Sequence, residues 1–329
     1  MASLAPNRDG QYIVGIDIGG TFIKGAALDR EGHILATVKR DARAMEGATA
    51  TMGEVVEAAR QAIADAGIDA AQVCGVGMGV PGQHRSEEGI CLFAPNFAGW
   101  VNVQLVAPVE QALGLATYMR NDVKTASLGE YRFGAGRGHR FMVMITLGTG
   151  IGGSAIIDGQ LRLGSSEGFA EVGHMCIDPN GPRCGCGNHG CWEAFAGRDG
   201  IIDRGLRAVQ TGRGTALAEA AASREGLTPR AIAEAAQAGD RVAQEVLEET
   251  GFYLGIGIAN LVQLYDPEVV IVGGGIAGAG EWLFGAMRRT VYARARMVTF
   301  DPERILSAQL GDDAGVIGAS VLVLEHMGV

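Results

Sequence analysis

Basic charge is what this sequence has least to spare. Its 27 Lys and Arg face 37 Asp and Glu, for a formal net charge of −10. Binding a phosphate backbone needs clustered cations, so nucleic acid is excluded as the main partner. Unbroken apolar runs are missing as well. The uncharged stretch 141–157 is interrupted by Thr146, Gly148, Thr149, Gly150, Gly152 and Gly153, which reads as strand, turn and strand, not as a membrane span of about 20 residues. The opening residues, MASLAPNRDGQY, hold no basic segment followed by an apolar core. No secretory signal is therefore expected, and the cytoplasm is the expected location. No low-complexity linker divides the chain, which predicts intimately joined domains. At 329 residues it is long enough for two cores, since single cores stop growing near about 250 residues.

Glycine is in excess, with 52 residues, roughly twice the usual ~7%. Many turns must therefore bring backbone close to something. Residues 12–17 form a β-rich run that ends in IGGT. A second strand over 22–28 turns through DREG into a third over 33–38. An amphipathic helix follows over 48–66 and an apolar, Gly-rich strand over 73–80. The same order then recurs. A strand over 141–147 ends in GTGIGG and leads to 154–157, a turn at Asp158-Gly159 and 160–163. Either the chain is internally duplicated or two unrelated hairpins look alike. Beyond residue 193 the pattern is helical, with a long helix over 240–265 that contains Gly251, Gly255 and Gly257. A strand over 268–272 runs into Gly273, Gly274 and Gly275, and a last helix covers 314–326.

The first glycine turn, Asp17-Ile-Gly-Gly-Thr21, puts a carboxylate at a strand end beside backbone NH groups and a hydroxyl that could face phosphate and Mg²⁺. Gly148-Thr149-Gly150 could do the same from the second copy. Neither fits the Walker pattern, which needs Gly-Lys-Ser/Thr opening a helix. The Gly273–Gly275 run does not match GxGxxG, and it lies near the C-terminus instead of in the first βα unit. It reads as a backbone platform for a base or ribose, or as plain strand–helix packing. Three of the six cysteines fall within CGCGNHGCWE, residues 184–193. A disulfide, a redox pair and a metal site are all open, though a reducing compartment favours the last two.

Asp17-Ile-Gly-Gly-Thr21, Gly79-Val-Pro-Gly82, Asn121-Asp122, Leu147-Gly-Thr-Gly-Ile-Gly152 and Glu171-Val-Gly-His174, in that order before the cysteines, resemble the ROK family. This family of sugar kinases and sugar-responsive repressors belongs to the actin-like, ribonuclease-H-like ATPase superfamily. The resemblance implies an α/β chain of two such ATPase domains with the active site in the cleft between them. Residues 1–120 plus the returning segment 313–329 would form one domain, and 121–312 the other. The implied activity is ATP-dependent, Mg²⁺-requiring phosphorylation of a hexose 6-hydroxyl, glucose foremost.

Asp122 would accept the hydroxyl proton; its structural alternative is a helix start after a strand over 116–119. The sequence departs from the family's Asn-Asp-Ala-Asn with Asn121-Asp122-Val123-Lys124, leaving the base but changing its neighbours. Sugar contacts are implied at Gly82, Asn96, Asn121, Asp122, Glu171, His174 and Glu193. Nucleotide and phosphate contacts are implied at Asp17, Gly19, Gly20, Thr21, Lys24, Gly148, Thr149, Gly150, Gly273, Gly274 and Gly275. His174, Cys184, Cys186 and Cys191 match a closed, tetrahedral and therefore structural Zn²⁺ site. A redox pair would prefer Cys-x-x-Cys at a helix start. Through His174 the metal would fix the sugar wall that carries Glu171 and Glu193. Cys74, Cys91 and Cys176 are expected to be buried thiols.

Rival readings are a kinase for N-acetylmannosamine, N-acetylglucosamine, fructose or mannose, polyphosphate as donor, and a DNA-binding repressor. The repressor would need a helix-turn-helix domain ahead of a first strand that begins near Tyr12. An actin-like assembly ATPase leaves Glu171, His174 and the cysteines without a role. The family implies a homodimer or homotetramer.

Overall fold

The computed structural model describes residues 4–213, 215–222 and 226–329. These form two compact units. Unit 1 runs through Arg137 and also takes in Leu163–Phe169 and Gln309–Val329; unit 2 comprises Gly138–Arg162 and Ala170–Ala308.

Unit 1 opens with an antiparallel meander of β1 (Tyr12–Ile18), β2 (Phe22–Asp29) and β3 (Ile34–Asp41), followed by helix α1 (Ala48–Asp65) and strand β4 (Val73–Val80). A small antiparallel sheet comes next, made of β5 (Gln83–Arg85), β6 (Ile90–Phe93) and β7 (Val101–Gln104). Helix α2 (Val106–Leu113), strand β8 (Thr117–Asn121) and helix α3 (Asp122–Phe133) complete this part. In the main sheet the order is β3-β2-β1-β4-β8, with β1, β4 and β8 mutually parallel.

Unit 2 repeats the plan with β9 (Met142–Leu147), β10 (Ile151–Ile157) and β11 (Gln160–Leu161). Helices α4 (Trp192–Ala196), α5 (Arg198–Gln210), α6 (Leu217–Ala220), α7 (Pro229–Gln237) and α8 (Arg241–Tyr265) follow. The unit ends with β12 (Val269–Gly273), α9 (Glu281–Arg294) and β13 (Ile305–Ser307). Its strand order, β11-β10-β9-β12-β13, has the same connectivity as the first sheet. The expected duplication is thus a duplication of topology. The Asp158-Gly159 turn also forms as expected, with φ of 56° and 76° in a two-residue hairpin.

Helix α10 (Ala314–Met327) belongs to unit 1. It has no polar face because it has no exposed side until its end: Ala314 through Leu324 are all buried. On one face of the sheet Val14, Ile16, Val76 and Met78 pack with Met52 and Val55 of α1. On the other, Ile13 and Cys74 meet Val323 and Leu324 of α10. Contact there is backbone to backbone. A Cβ on Gly15 would overlap the Val316 carbonyl, and one on Gly77 the Ala319 carbonyl.

The division corrects the expected boundary at residue 120. Helix α3 lies against α10, where a Cβ on Gly318 would overlap the Thr125 carbonyl, so α3 stays in unit 1 and the first crossing comes after Arg137. Among the described residues no helix is long and apolar enough to cross a membrane.

Replacing Gly77 by Ala forces β4 and α10 apart. Denaturant unfolding should show a loss of at least about 2 kcal/mol, the upper range for overpacking, whereas Gly53→Ala, at an exposed position of α1 where a Cβ meets nothing within 4 Å, should gain about 0.5–1 kcal/mol from helix propensity.

Candidate active site

In unit 1 the chemistry gathers where β1, β4 and β8 end. Asp17 stands on β1 directly opposite Lys24 of β2 and beside Gly79 of β4. It lies against α10, where a Cβ on Gly315 would collide with its carboxylate. Burial first, and then the charge of Asp122, push the Asp17 carboxyl up to about 6 against the opposing charge of Lys24. Lys24 is itself held by the Asp313 carboxylate at 2.5 Å and the Asp312 carbonyl at 3.0 Å. Between β1 and β2, Gly20 and Thr21 are exposed, and the Gly19 amide donates to the Phe22 carbonyl at 2.9 Å. A cavity of about 560 Å³ opens beside Gly19, Thr21 and Lys24. It is also lined by Lys39, which the sequence reading missed because it lies on a separate strand.

Asn121 and Asp122 form the start of α3. The Asn121 Oδ1 accepts from the Val123 and Lys124 amides at 3.1 and 3.3 Å, which makes it the helix cap. Its Nδ2 donates to the Gly82 carbonyl at 3.3 Å, so two predicted sugar-side residues are brought together. Gly82 has φ of 99° and no room for a Cβ against Phe93 and Ala94. Asn121 serves as the cap, and the Asp122 Oδ1 accepts from the same Val123 amide at 2.9 Å. Lys124 is buried. Asn96 is exposed in the turn after β6.

In unit 2 the second glycine hairpin joins β9 to β10. Gly148 and Thr149 are exposed at its tip, and the Gly148 amide donates to the Gly150 carbonyl at 3.0 Å. The Glu193 carboxylate accepts from the Ile151 amide at 3.0 Å, and a Cβ on Gly150 would collide with it. Gly274, with φ of 86°, packs on the backbone of Leu147, while Gly273 is buried in β12. Gly148 and Gly275 line one cavity of about 560 Å³ with Arg198, Thr228, Glu234 and Gln237. The last four were not predicted; they come from α5, from α7 and from Thr228, which caps α7, where no local motif marks them.

The cysteine loop closes as a ligand set. Cys184 Sγ lies 3.8 Å from His174 Nδ1, Cys186 Sγ lies 3.7 Å from Cys191 Sγ, and the four ligand atoms are all within 4.8 Å of one another. A tetrahedral ion with metal–sulfur bonds of about 2.3 Å would separate its sulfurs by about 3.8 Å. All six cysteines are free thiols. Burial first, and then the neighbouring thiols, push Cys191 up to about 12; such crowding is what a divalent cation would relieve. Cys184 Sγ is 3.8 Å from Glu193 Oε1, so the same glutamate faces both the loop and the hairpin. Glu171 and His174 are exposed. Cys74 and Cys91 are buried as expected, but Cys176 is exposed. Its backbone bridges that of Cys191, but its thiol is not among the four gathered ligand atoms.

Two α/β units with one strand order, each presenting a glycine hairpin between its first two strands, define the class: an actin-like ATPase fold of two domains. Within that class the chain belongs to the ROK family, whose family model matches residues 13–326. It is 34% identical over 316 residues to a glucokinase of Thermotoga maritima, covering 96% of this chain and 98% of that one. The crystal structure of a ROK family glucokinase from Streptomyces griseus in complex with glucose and AMPPNP superposes with a TM-score of 0.81 at 36% identity, over 95% of this chain and 99% of that one. A xylose repressor of Bacillus subtilis is 29% identical, matching 97% of this chain and 79% of its own length.

The sign of the Asp17 effect follows from its raised pKa. A carboxyl harder to ionise in the folded state favours folding when protonated, so its contribution is present below about 4 and lost as the pH rises through about 6. In metal-free protein, Asp17→Asn should therefore gain stability over the parent between these values, by up to roughly 3 kcal/mol, and hold the gain above them. Thermal unfolding across that range checks it.

Proposed function

We propose that the chain is an ATP-dependent kinase of a hexose 6-hydroxyl, with glucose as its sugar. The observation that carries this is Asp122: a carboxylate at the first turn of α3, beside the Asn121 cap and close enough to raise the Asp17 carboxyl. A hydroxyl bound there would give its proton to Asp122 as the oxygen attacks phosphorus. Asp17 and the exposed Gly19-Gly20-Thr21 turn suit the phosphates. In unit 2, Gly148, Thr149 and Gly150 suit phosphate, and the cavity bounded by Gly275, Arg198 and Thr228 suits the base and ribose. Mg²⁺, when bound with the nucleotide, would neutralise phosphate charge.

Gly82, Asn96, Asn121, Glu171, His174 and Glu193 are the candidate sugar contacts. Hydrogen-bonding groups of this kind reject sugars that lack a matching hydroxyl. The glucokinase relatives and the glucose and AMPPNP in the Streptomyces griseus complex support this choice of substrates. His174, Cys184, Cys186 and Cys191 would hold Zn²⁺ in a closed structural site. Six free thiols suit a reducing compartment, consistent with a cytoplasmic enzyme.

Coupled ADP release over a panel of hexoses and amino sugars tests the reaction. Asp122→Asn should lower turnover on glucose by about 10²- to 10⁴-fold with nucleotide binding retained; turnover untouched by the substitution would end the assignment. Cys186→Ser should lose zinc by elemental analysis and sugar phosphorylation together, and full activity in zinc-free protein would contradict the structural role.

A further inference from the structure

We infer that Glu167 is a positioning residue for the acceptor sugar, a clamp that holds the strand end bearing Asn121 and Asp122 against the turn bearing Gly82. This rests on the kinase reading above.

The segment Leu163–Phe169 belongs to unit 1, although the chain before and after it belongs to unit 2. Its Glu167 sits in the left-handed region with φ of 57°, a conformation that costs a non-glycine residue about 1 kcal/mol. The carboxylate explains how that strain is held. One oxygen accepts from the Ser86 amide at 2.7 Å, the other from the Ser86 hydroxyl at 2.5 Å, and the second oxygen lies 3.6 Å from Arg120 Nη1. That Arg120 nitrogen is buried and has no hydrogen-bond partner among the described residues. The other Arg120 nitrogen reaches Glu87 at 2.9 Å, but the Glu87 side chain is 74% exposed against 20% for Glu167. Solvent screens the Glu87 pair more than the Glu167 pair, which offsets the longer distance of the latter; Glu325 also faces Arg120.

Ser86 follows β5, four residues after Gly82, and Arg120 immediately precedes Asn121. The two stretches are already joined by the β4–β8 ladder, which pairs Val80 with Asn121, by the Asn121 side chain on the Gly82 carbonyl and by the Arg120–Glu87 pair. Glu167 adds a better shielded link from a segment 81 residues beyond Ser86. Without that brace, the base would be fixed relative to the Gly82 turn by the strand ladder, the solvent-screened Glu87 pair and the 3.3 Å Asn121 contact.

The test compares the parent protein with Glu167→Ala and Glu167→Gln; the second keeps an acceptor for Ser86 and drops the charge facing Arg120. Glu167→Ala should raise KM for the sugar about tenfold, as expected for misplacing a substrate-facing group by a fraction of an ångström, with KM for ATP within about twofold and Glu167→Gln in between. A purely structural role would move both KM values together, and that result, or an unchanged sugar KM, would overturn the inference. Hydrogen exchange over residues 83–88 and 117–124 supplies a readout that needs no turnover. It should quicken in the Ala variant, and unchanged exchange would also overturn the clamp. Should the parent phosphorylate no sugar, the kinase reading fails and exchange alone decides the clamp. If Glu167→Ala does not fold, Glu167→Gln carries the same measurements.

Discussion

Asp17 at the end of β1 and Asp122 at the start of α3 stand close enough for the charge of one to raise the pKa of the other. Like charges held together in a partly buried place are unfavourable, so the surrounding fold must impose the arrangement. Parallel β1, β4 and β8 bring their C-terminal ends to one edge of the sheet. Glycine at 315 leaves space for the Asp17 carboxylate. Lys24, fixed by Asp313, supplies the nearby positive charge, and Asn121 caps α3. Even the close seating of α10 on Gly15 and Gly77 serves this edge, since Gly315 enters the site on the same helix. Fold stability and site chemistry thus pull on the same residues, as expected where function requires strain.

Unit 2 uses the same sheet for a different task. Its first hairpin is tied by Glu193 to the cysteine loop, and Gly150 has no side chain because the carboxylate takes that space. Trp192, next to Glu193, is fully buried and donates to the Tyr253 carbonyl of α8 at 2.8 Å. The glutamate therefore projects from an anchored helix rather than from a free loop. An ion held by His174, Cys184, Cys186 and Cys191 would fix the loop on the other side of it.

Features encoded locally were legible in the sequence. The hairpins, the long helix from Arg241 and the His-Cys ligand set each lie within a short window whose spacing carries their geometry. The repeated order of strands even announced the duplicated sheet. What escaped depends on contacts between distant segments. The place of α3 in unit 1 follows from its packing on α10, which no pattern within 122–133 reveals. Glu167 looks like a solvated loop residue until the fold places it on Ser86 and Arg120. Arg198, Thr228, Glu234 and Gln237 line a cavity only because α5 and α7 bring them beside Gly275. Cys176 lies beside Met175 and Ile177 in the sequence yet is exposed in the fold.

The coupling of the two carboxylates is open to direct observation by carbon-detected NMR titration of the Asp17 side-chain carboxyl in metal-free protein. The account predicts a midpoint near 6 that falls when Asp122 is replaced by Asn. An Asp17 that titrates near the ordinary ~4 and ignores that replacement would contradict it.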